Sequence, residues 1–418
     1  MKISILSDFH FGFAYTSEME NDSFDNAEEA MEKALESDLI LIGGDIFDTR
    51  LPKTQTWANA IRILTKPLLK ESTGVKLVEC TKQLKEISKK TLNHLPVIAL
   101  HGNHERRAKT EINPVEVLEN AGILIHLHCQ TAVFEKNGVK VAIHGMSNVS
   151  ERFAYDVLNQ WNPKPLPNCV NILLLHQSID PYVYSPLEPP TLNLSNLPKG
   201  FDLIIDGHIH TQIQEKTNGT NFIIPGSLTI TQFQKSEAEI EKCFVKLDIG
   251  NEIKTEFIPL EKNRKFFYEE IKLEEKSVRD QIENKISDIV YTRNLSKPPV
   301  IRLRIFGKET EVLDQELRDI ERKYDEKAIL VFVKELESPE MTEKIEFMRN
   351  LREQKLSTEE IGLNLLKKNL EELQFESTFD YEDMFRLLTE SEVDSAFNIL
   401  TGEQKTLTQI LKDSLVNK

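Results

Sequence analysis

The sequence predicts an α/β fold, on the basis of three observations. Short runs rich in Ile, Leu and Val recur through roughly the first 260 residues, and each is too short for an ordinary helix. Helical patterns lie between several of these runs, and such alternation is typical of α/β proteins. Strand signals stop after about residue 339, where two amphipathic helical stripes follow.

The apolar runs of the first part are predicted to be buried strands. They are Lys2–Ser7, Asp38–Ile42, Pro96–Leu100, Val139–Ile143, Val170–Leu175, Phe201–Ile205 and Asn221–Ile224. A helical pattern covers Glu28–Glu36, and the segment from about Lys53 to Thr91 is expected to hold two helices with a break at Gly74. A hairpin around Gly250-Asn251 is predicted to join Cys243–Ile249 to Glu252–Leu260.

The remaining sequence predicts two further regions. Residues 262–338 have the pattern of a small β-α-β-α-β module. Its elements are Phe266–Leu273, Val278–Val290, Pro299–Phe306, Glu311–Lys327 and Ala328–Leu336. Residues 345–418 are predicted to be a helical tail, with apolar stripes in Glu359–Leu373 and Tyr381–Leu400.

Composition excludes several classes of protein. The 418 residues suggest two to three domains, and 39% apolar residues are too many for a wholly disordered chain. A net charge of −16 argues against coating nucleic acid by bulk charge, without excluding a local basic groove. The longest apolar runs are too short to span a bilayer, and Met1-Lys2 leads straight into a strand, so we expect no secretory leader.

The cysteines indicate a reducing compartment. Cys80, Cys129, Cys169 and Cys243 are scattered without paired spacing, which disfavours a zinc ribbon or a redox motif. The expectation is four buried free thiols in a cytoplasmic protein, which would be nucleoid-associated if the source is prokaryotic.

Polar side chains with metal-binding chemistry follow five of the predicted strands. Since the carboxyl ends of strands form the ligand crevice of open α/β sheets, these side chains are expected to meet. They are Asp8 and His10, Asp45, Asn103 and His104, His176, and His208 and His210.

This residue set predicts a site for two divalent cations. Carboxylate, amide and imidazole ligands suit borderline cations such as Mn, Fe or Zn, and the absence of a thiolate disfavours a structural zinc site. The i, i+2 spacing of Asp8 with His10, and of His208 with His210, puts each pair on one side of an extended segment. Two cations about 3.5–4 Å apart can hold the attacking and leaving oxygens of a phosphoryl transfer.

These motifs resemble those of the calcineurin-like metallophosphoesterases. The matching segments are Asp-Phe-His at 8–10, Gly-Gly-Asp at 43–45, Gly-Asn-His-Glu at 102–105, His176, and Gly-His-Ile-His at 207–210. Asp45-Ile46-Phe47-Asp48, Pro225-Gly226-Ser227-Leu228, the small module and the tail are similar to one branch. That branch is the DNA double-strand-break repair nuclease family called meiotic-recombination-eleven in archaea and eukaryotes and SbcD in bacteria.

The resemblance implies a fold and a role for each motif residue. The first 260 residues would form a two-sheet αββα sandwich, and residues 262–338 a capping domain that binds DNA. Asp8, His10, Asp45 and His210 would hold one Mn ion, and Asp45, Asn103, His176 and His208 the other, with Asp45 bridging. His104 would not be a ligand but would stabilise the transition state or protonate the leaving oxygen.

The sequence departs from the family pattern at three positions. Asp48 stands where many archaeal and eukaryotic members have a histidine associated with exonuclease action, whereas the bacterial branch has Asp. The residues alone leave Asp48 equally open to a role as a capping or loop residue. Glu105 stands where Asp is usual, and Phe11 where Leu is usual.

The resemblance also implies two protein partners. The tail, 345–418, would bind the coiled coil of an ABC-type ATPase of the Rad-fifty/SbcC kind, with packing on the chain's own domains as the alternative. Helices within 53–91 would form a homodimer, with ordinary packing on the sheet as the alternative. The apolar residues considered for that surface are Trp57, Ile61, Ile63, Leu64, Leu68 and Leu69.

DNA contact is expected from local positive charge, because Lys and Arg neutralise phosphates without reading sequence. The candidates are Arg50, Lys53, Arg106, Arg107, Lys109, Arg302 and Arg304. The histidines outside the motifs are interpreted as packing or surface residues; they are His101, His126, His128 and His144.

The resulting hypothesis is a Mn-dependent phosphodiesterase acting on DNA ends, as an exonuclease on double strands and an endonuclease on single strands. One rival is a small-molecule metallophosphoesterase, which would leave the module and the tail unexplained. A second rival is a scaffold that has lost catalysis, which the complete set of expected ligands disfavours.

Overall fold

Two β-sheets form the centre of the protein, as a computed structural model of the chain shows. It describes residues 1–107, 111–183, 192–217, 219–250, 252–272, 278–308, 313–337, 358–372, 380–389, 396–397 and 399–400. The strands are β1 (Lys2–Leu6), β2 (Leu39–Ile42), β3 (Lys76–Cys80), β4 (Val97–Ala99), β5 (Ile125–His126), β6 (Gln130–Lys136), β7 (Val139–Met146), β8 (Val170–Leu175), β9 (Ile179–Asp180), β10 (Leu192–Asn193), β11 (Leu203–Asp206), β12 (Ile213–Thr217), β13 (Thr220–Ile224), β14 (Cys243–Ile249), β15 (Ile253–Pro259), β16 (Phe266–Lys272), β17 (Val300–Lys308) and β18 (Ile329–Glu337). The helices are α1 (Asp22–Ala34), α2 (Thr54–Leu64), α3 (Lys89–Asn93), α4 (Pro114–Asn120), α5 (Glu151–Trp161), α6 (Lys235–Ala238), α7 (Val278–Thr292), α8 (Leu313–Tyr324), α9 (Thr358–Glu372) and α10 (Tyr381–Thr389).

Each sheet has a parallel centre. The first has the order β15-β14-β1-β2-β4-β5, in which β1, β2, β4 and β5 are parallel and the hairpin β14-β15 is antiparallel to β1. The second has the order β12-β13-β11-β8-β7-β6-β3, with β13, β11, β8 and β7 parallel; β12 pairs antiparallel with β13, β6 with β7, and β3 with β6. The loops that follow β1, β2, β4, β8 and β11 therefore all leave from the carboxyl ends of parallel strands.

The two sheets pack face to face because their central strands are apolar on both sides. In β1, Ile3 and Ile5 enter the core between the sheets, whereas Leu6 points to the outer face. In β8, Ile172 and Leu174 enter the same inner core, and the alternate positions face outward. Alternate residues of these strands face opposite sides of the sheet, and both sides are buried. The strands therefore appear in the sequence as continuous apolar runs.

Helices cover the two outer faces of the sheets. Residues of α1, α2 and α4 pack on the outside of the first sheet, and α5 packs on the outside of the second through Ala154 and Leu158. The predicted αββα sandwich is therefore confirmed.

A small α/β module follows the sandwich. Its sheet has the order β16-β17-β18, and α7 and α8 contact each other and lie between these strands in the chain. Phe266 and Val300 of the module form an apolar cluster with Met19 and Ile230 of the sandwich. A buried ion pair between Arg264 and Asp22 reinforces this contact.

The chain divides into two compact units. The first comprises residues 1–305 and 312–334, and so includes the sandwich and most of the small module. The second comprises residues 306–311 and 335–418. Within the second unit, α9 and α10 contact each other and Lys367 pairs with Glu382 at 2.6 Å. The boundaries predicted at residues 260–262 and 338–345 stay predictions.

Two expectations from the sequence were wrong. The segment 53–91 does not hold only helices, because Lys76–Cys80 forms β3 at the edge of the second sheet. The side chains of that strand are exposed or half-buried, so it lacks the apolar signature of the central strands. All four cysteines are free, but only Cys243 is buried and the other three are half-buried.

Among the described residues, no helix is long and apolar enough to cross a membrane.

Candidate metal centre

Five loops bring the predicted metal ligands to one place. Asp8 and His10 follow β1, Asp45 follows β2, and Asn103 follows β4. His176 follows β8, and the pair His208 and His210 follows β11. All except Asn103 are buried, with the exposed fraction of each residue no higher than 8%.

The backbone of these loops adopts conformations that are uncommon for residues with a side chain. The φ angles are 51° at Asp8, 50° at His10, 46° at Asp45 and 76° at His208. Such left-handed residues cost free energy and concentrate at functional sites. At Gly102 a Cβ atom would collide with the Asp45 carboxylate, so only glycine allows this close approach.

One group of ligand atoms is formed by Asp8, His10 and His210. Their ligand atoms lie within 4.8 Å of one another. The Nε2 atoms of His10 and His210 are 3.0 Å apart, and Nε2 of His210 is 3.7 Å from Oδ1 of Asp8. Two imidazoles and a carboxylate therefore converge with their donor atoms on a common point.

A second group is formed by Asp45, His176 and His208, with Asn103 beside them. Nε2 of His176 is 3.3 Å from Oδ2 of Asp45. Oδ1 of Asn103 is 3.3 Å from Nε2 of His176 and 3.0 Å from Nδ1 of His208. Asp45 also lies within the same 4.8 Å limit of His10 and His104, so this carboxylate connects the two groups.

Burial and charge shift the pKa values of these side chains strongly. Burial raises the pKa of Asp8. Burial would also raise the pKa of Asp45, but the charge of His176 and its hydrogen bond hold that pKa far below its usual range. Burial would lower the pKa of His176, yet the Asp45 carboxylate raises it to about 10. Burial and the charge of His176 lower the pKa of His208 to about 3.

These shifts fit a site that receives cations. The Asp45 carboxylate faces the His176 imidazole at 3.3 Å, and a divalent cation among the same atoms would supply the positive charge that this buried carboxylate needs. The donors are carboxylate, amide and imidazole groups, which suit borderline divalent cations. The residues present therefore fit the divalent metal ions that the sequence motifs imply.

Three hydrogen bonds orient the imidazole rings so that Nε2 points into the site. Nδ1 of His10 is 3.1 Å from the Asp48 carboxylate, and Nδ1 of His176 is 2.8 Å from the Gly43 carbonyl oxygen. Nδ1 of His210 is 2.6 Å from Oγ1 of Thr231. Such outer contacts fix the tautomer and the orientation of metal-binding histidines.

The sequence did not assign two of these orienting residues. Asp48 remained equally open to a capping or loop role, and the structure places its carboxylate on His10. Thr231 follows His210 by 21 residues and carries no motif of its own, so no sequence signal identified it.

His104 lies at the rim of the site. Its side chain is 37% exposed, and its Nδ1–H donates to the Asp48 carbonyl oxygen at 2.9 Å, which leaves Nε2 available. Its backbone N–H donates to Oδ1 of Asp45 at 3.0 Å.

The neighbouring Glu105 is buried and accepts hydrogen bonds from the N–H groups of Phe47 and Gly102, so it joins the loops after β2 and β4. Burial and the charge of Asp45 raise the pKa of Glu105 to about 8.

The basic residues predicted to contact DNA have different surroundings. Arg50 and Lys53 are exposed, and the Lys53 ammonium lies 3.6 Å from the ring centroid of Tyr15. The half-buried Arg106 donates to Oδ1 of Asn148 at 3.1 Å. Lys109 lies outside the described residues.

The other three arginines are engaged within the chain. Arg107 pairs with Glu111 at 2.8 Å, and Arg304 donates to Glu270 at 2.9 Å. Arg302 donates to the carbonyl oxygen of Phe233 at 2.8 Å.

Comparison with known proteins gives the family context. Residues 1–212, half of the chain, match the family model described as calcineurin-like phosphoesterase. The chain is 27% identical to the DNA double-strand break repair protein Mre11 of Methanopyrus kandleri, over 65% of this chain and 59% of the relative. Identity is 25% to the double-strand break repair protein MRE11 of both Arabidopsis thaliana and Homo sapiens, over 73% and 65% of this chain and 50% and 42% of those relatives. The chain thus spans about half the length of the curated relatives it matches.

Substitution of Asp48 tests the orientation of His10. We expect Asp48→Ala to weaken the binding of one divalent ion about 10- to 100-fold, because His10 loses the acceptor of its Nδ1–H. Asp48→Asn keeps an oxygen acceptor at that position and should lose less. Calorimetric titration of the full chain with Mn²⁺ measures both effects, and unchanged affinity in Asp48→Ala would contradict this role.

Proposed function

We propose that this chain, which belongs to the calcineurin-like phosphoesterase family, is a Mn²⁺-dependent phosphodiesterase that cleaves DNA in double-strand break repair. The observation that carries the proposal is the convergence of two carboxylates, an amide and four imidazoles on two adjoining groups of ligand atoms. The choice of DNA as substrate rests on the likeness to relatives that are named as double-strand break repair proteins.

In this proposal each group of ligands holds one Mn²⁺ ion. Asp45 would bridge the two ions, because it is the carboxylate that neighbours both groups. One ion would be held by Asp8, His10, Asp45 and His210, and the other by Asp45, Asn103, His176 and His208. When bound, the ions would supply Lewis-acid stabilisation of the scissile phosphate and activation of water.

His104 would act on the substrate rather than on the ions. Its Nδ1–H is held by the Asp48 carbonyl oxygen, so Nε2 is the atom that can meet a phosphate or a leaving oxygen. A protonated Nε2 would donate to a phosphoryl oxygen as negative charge develops, or pass its proton to the departing oxygen. Its exposure at the rim suits this role, since the buried ligands cannot reach a polymer directly.

Phosphate contacts outside the metal centre would come chiefly from Arg50 and Lys53. Both are exposed and follow the loop that carries Asp45. Arg106, Arg107, Lys109, Arg302 and Arg304 remain proposed contacts. Arg107, Arg302 and Arg304 would first have to leave the partners that they have in the folded chain.

Cleavage assays test the proposed activity. We expect the purified chain to cut labelled double-stranded DNA with Mn²⁺ and to lose all cleavage with a chelator. His104→Ala should reduce the rate roughly 10²- to 10⁴-fold, because a positioned proton donor is removed. His94→Ala is the matched control, since the His94 ring bonds the Lys70 carbonyl oxygen outside the metal centre. Hydrolysis of a small phosphodiester without any DNA cleavage would instead favour the small-molecule enzyme.

The C-terminal tail, 345–418, is proposed to bind a coiled-coil ABC ATPase of the Rad-fifty/SbcC kind. The helices α9 and α10 support this proposal, because some apolar side chains among the described residues of the tail are exposed to solvent. Leu388 is 53% exposed and Leu400 is 58% exposed. A helix surface of this kind suits a partner helix.

Deletion of residues 345–418 should abolish ATPase binding and spare metal-dependent cleavage. The physical reason is that every proposed ligand lies before residue 211, in the first compact unit. Co-purification with the ATPase and a cleavage assay measure the two activities separately. Loss of both together would refute the modular arrangement.

A homodimer is proposed through the segment 53–91, and the exposure of its apolar side chains suggests which of them a second copy would contact. Ile63 and Leu64 are buried in the chain's own core, and Trp57 and Leu68 pack against that core. Ile61 and Leu69 are 39% and 84% exposed, and they stay available to a second copy.

Sedimentation tests the dimer. The chain is expected to sediment as a dimer at micromolar concentration, and Ile61→Asp with Leu69→Asp should shift it to the monomer because charges would enter an apolar contact. Ile112→Asp is a control at an exposed apolar residue outside this segment. A wild-type monomer at that concentration would exclude the proposal.

A further inference from the structure

Thr231 contacts the ring of the predicted ligand His210. One edge of the His210 ring presents Nε2 to His10 and Asp8, while Nδ1 on the other edge meets Oγ1 of Thr231 at 2.6 Å. If Nε2 binds a metal, Nδ1 carries the proton and donates it to the Thr231 hydroxyl. The orientation of the His210 ring therefore depends on the position of the loop that carries Thr231.

A buried ion pair holds that loop from the inside. Glu237 is 3% exposed and Lys242 is 1% exposed, and their charged atoms are 2.7 Å apart. The Glu237 carboxylate also accepts hydrogen bonds from the N–H groups of Gln232 and Phe233, at 2.9 and 2.8 Å.

The same ion pair reaches the backbone of His210. The Lys242 ammonium donates to the His210 carbonyl oxygen at 3.3 Å and to Oγ of Ser227 at 2.8 Å. Burying two charges is favourable only when their remaining hydrogen bonds are also made, as they are here. The ring and the main chain of His210 are thus both tied to the segment 227–242.

The small α/β module holds the loop from the outside. Arg302 of β17 donates to the Phe233 carbonyl oxygen at 2.8 Å, and the rings of Phe233 and Phe266 meet with centroids 5.7 Å apart. Phe233 has a φ angle of 52°, a left-handed conformation that its surroundings must maintain. Its N–H is held by Glu237 and its carbonyl by Arg302, so both contacts converge on one peptide segment.

We propose that Thr231 and Arg302 are positioning residues that couple the docking of the small α/β module to the orientation of His210. A docked module keeps Phe233 and Thr231 in place, and Thr231 keeps Nε2 of His210 directed at the metal. Because coupling between sites is reciprocal, ion binding at His210 also strengthens the docking of the module. This inference rests on the proposed metal site, and it assigns to Arg302 a role in the absence of DNA, in addition to the proposed contact with DNA.

Two matched pairs of variants test the coupling in the full chain. Thr231→Val keeps the shape of the side chain but removes the hydroxyl, so the affinity for one Mn²⁺ ion should fall about 10- to 100-fold. Thr231→Ser restores the hydroxyl and should recover most of that affinity. Arg302→Ala should weaken the binding of the same ion, whereas Arg318→Ala, on α8 of the same module, should leave metal affinity at the wild-type value because Arg318 donates to Gln315 instead.

Calorimetric titration with Mn²⁺ gives the affinities, and hydrogen exchange of β17 amides with and without Mn²⁺ gives the reciprocal effect. We expect Mn²⁺ to protect β17 in the wild type, and to protect it less in Thr231→Val. Equal Mn²⁺ affinity in Thr231→Val and wild type, or in Arg302→Ala and Arg318→Ala, would overturn the inference. If the wild type binds Mn²⁺ with this pattern but does not cut DNA, the proposed activity fails and the coupling stands.

Discussion

The buried carboxylate of Asp45 is the constraint on which the candidate site depends. It neighbours both groups of ligand atoms, and the Gly102 backbone lies so close that a side chain there would clash with it. A charge in such a place must be compensated, and the protein does this with His176 and with the N–H of His104. The ligands themselves adopt left-handed backbone at Asp8, His10, Asp45 and His208, a conformation that the surrounding loops must maintain.

The packed sandwich stabilises this strained arrangement of loops. The inner core and both outer faces of the central strands are apolar, so β1, β2, β4, β8 and β11 form a rigid base from which the loops emerge. Parallel strands place their carboxyl ends at one edge, and two stacked sheets bring five such ends together. Side chains 200 residues apart in sequence, such as His10 and His210, can then lie within 3.0 Å.

The sequence allowed the central strands and the convergence of the ligands to be predicted, because both depend on short local patterns. Apolar runs of four to eight residues mark buried strands, and polar residues directly after them mark the crevice. The edge strand β3 was missed since its exposed and half-buried side chains, as in Lys76 and Glu79, do not form an apolar run. Ile63 and Leu64 were considered for an interface, yet they belong to the core, because an amphipathic pattern does not say what covers its apolar face.

The residues that hydrogen-bond the predicted metal ligands from outside the site could not be predicted, for a related reason. Asp48 and Thr231 orient His10 and His210 through loops whose course depends on packing elsewhere, in the case of Thr231 on Lys242 and Glu237. Positive charge in the sequence likewise did not reveal that Arg302 bonds Phe233 within the chain.

In the proposed function, attraction for a phosphodiester would come largely from the metal centre itself. The chain carries a net charge of −16, and Arg107 and Arg304 are paired with carboxylates within the protein. In the proposed two-ion site, Asp8 and Asp45 contribute −2 and two divalent ions contribute +4, which leaves the centre at +2 while the surrounding imidazoles stay neutral. Without ions, the two carboxylates would repel a phosphate, and they are offset only in part by His10 and His176, whose pKa values the neighbouring carboxylates raise. In the proposed function, bound ions would thus reverse the sign of the local charge and would attract a phosphate group before the cleavage step.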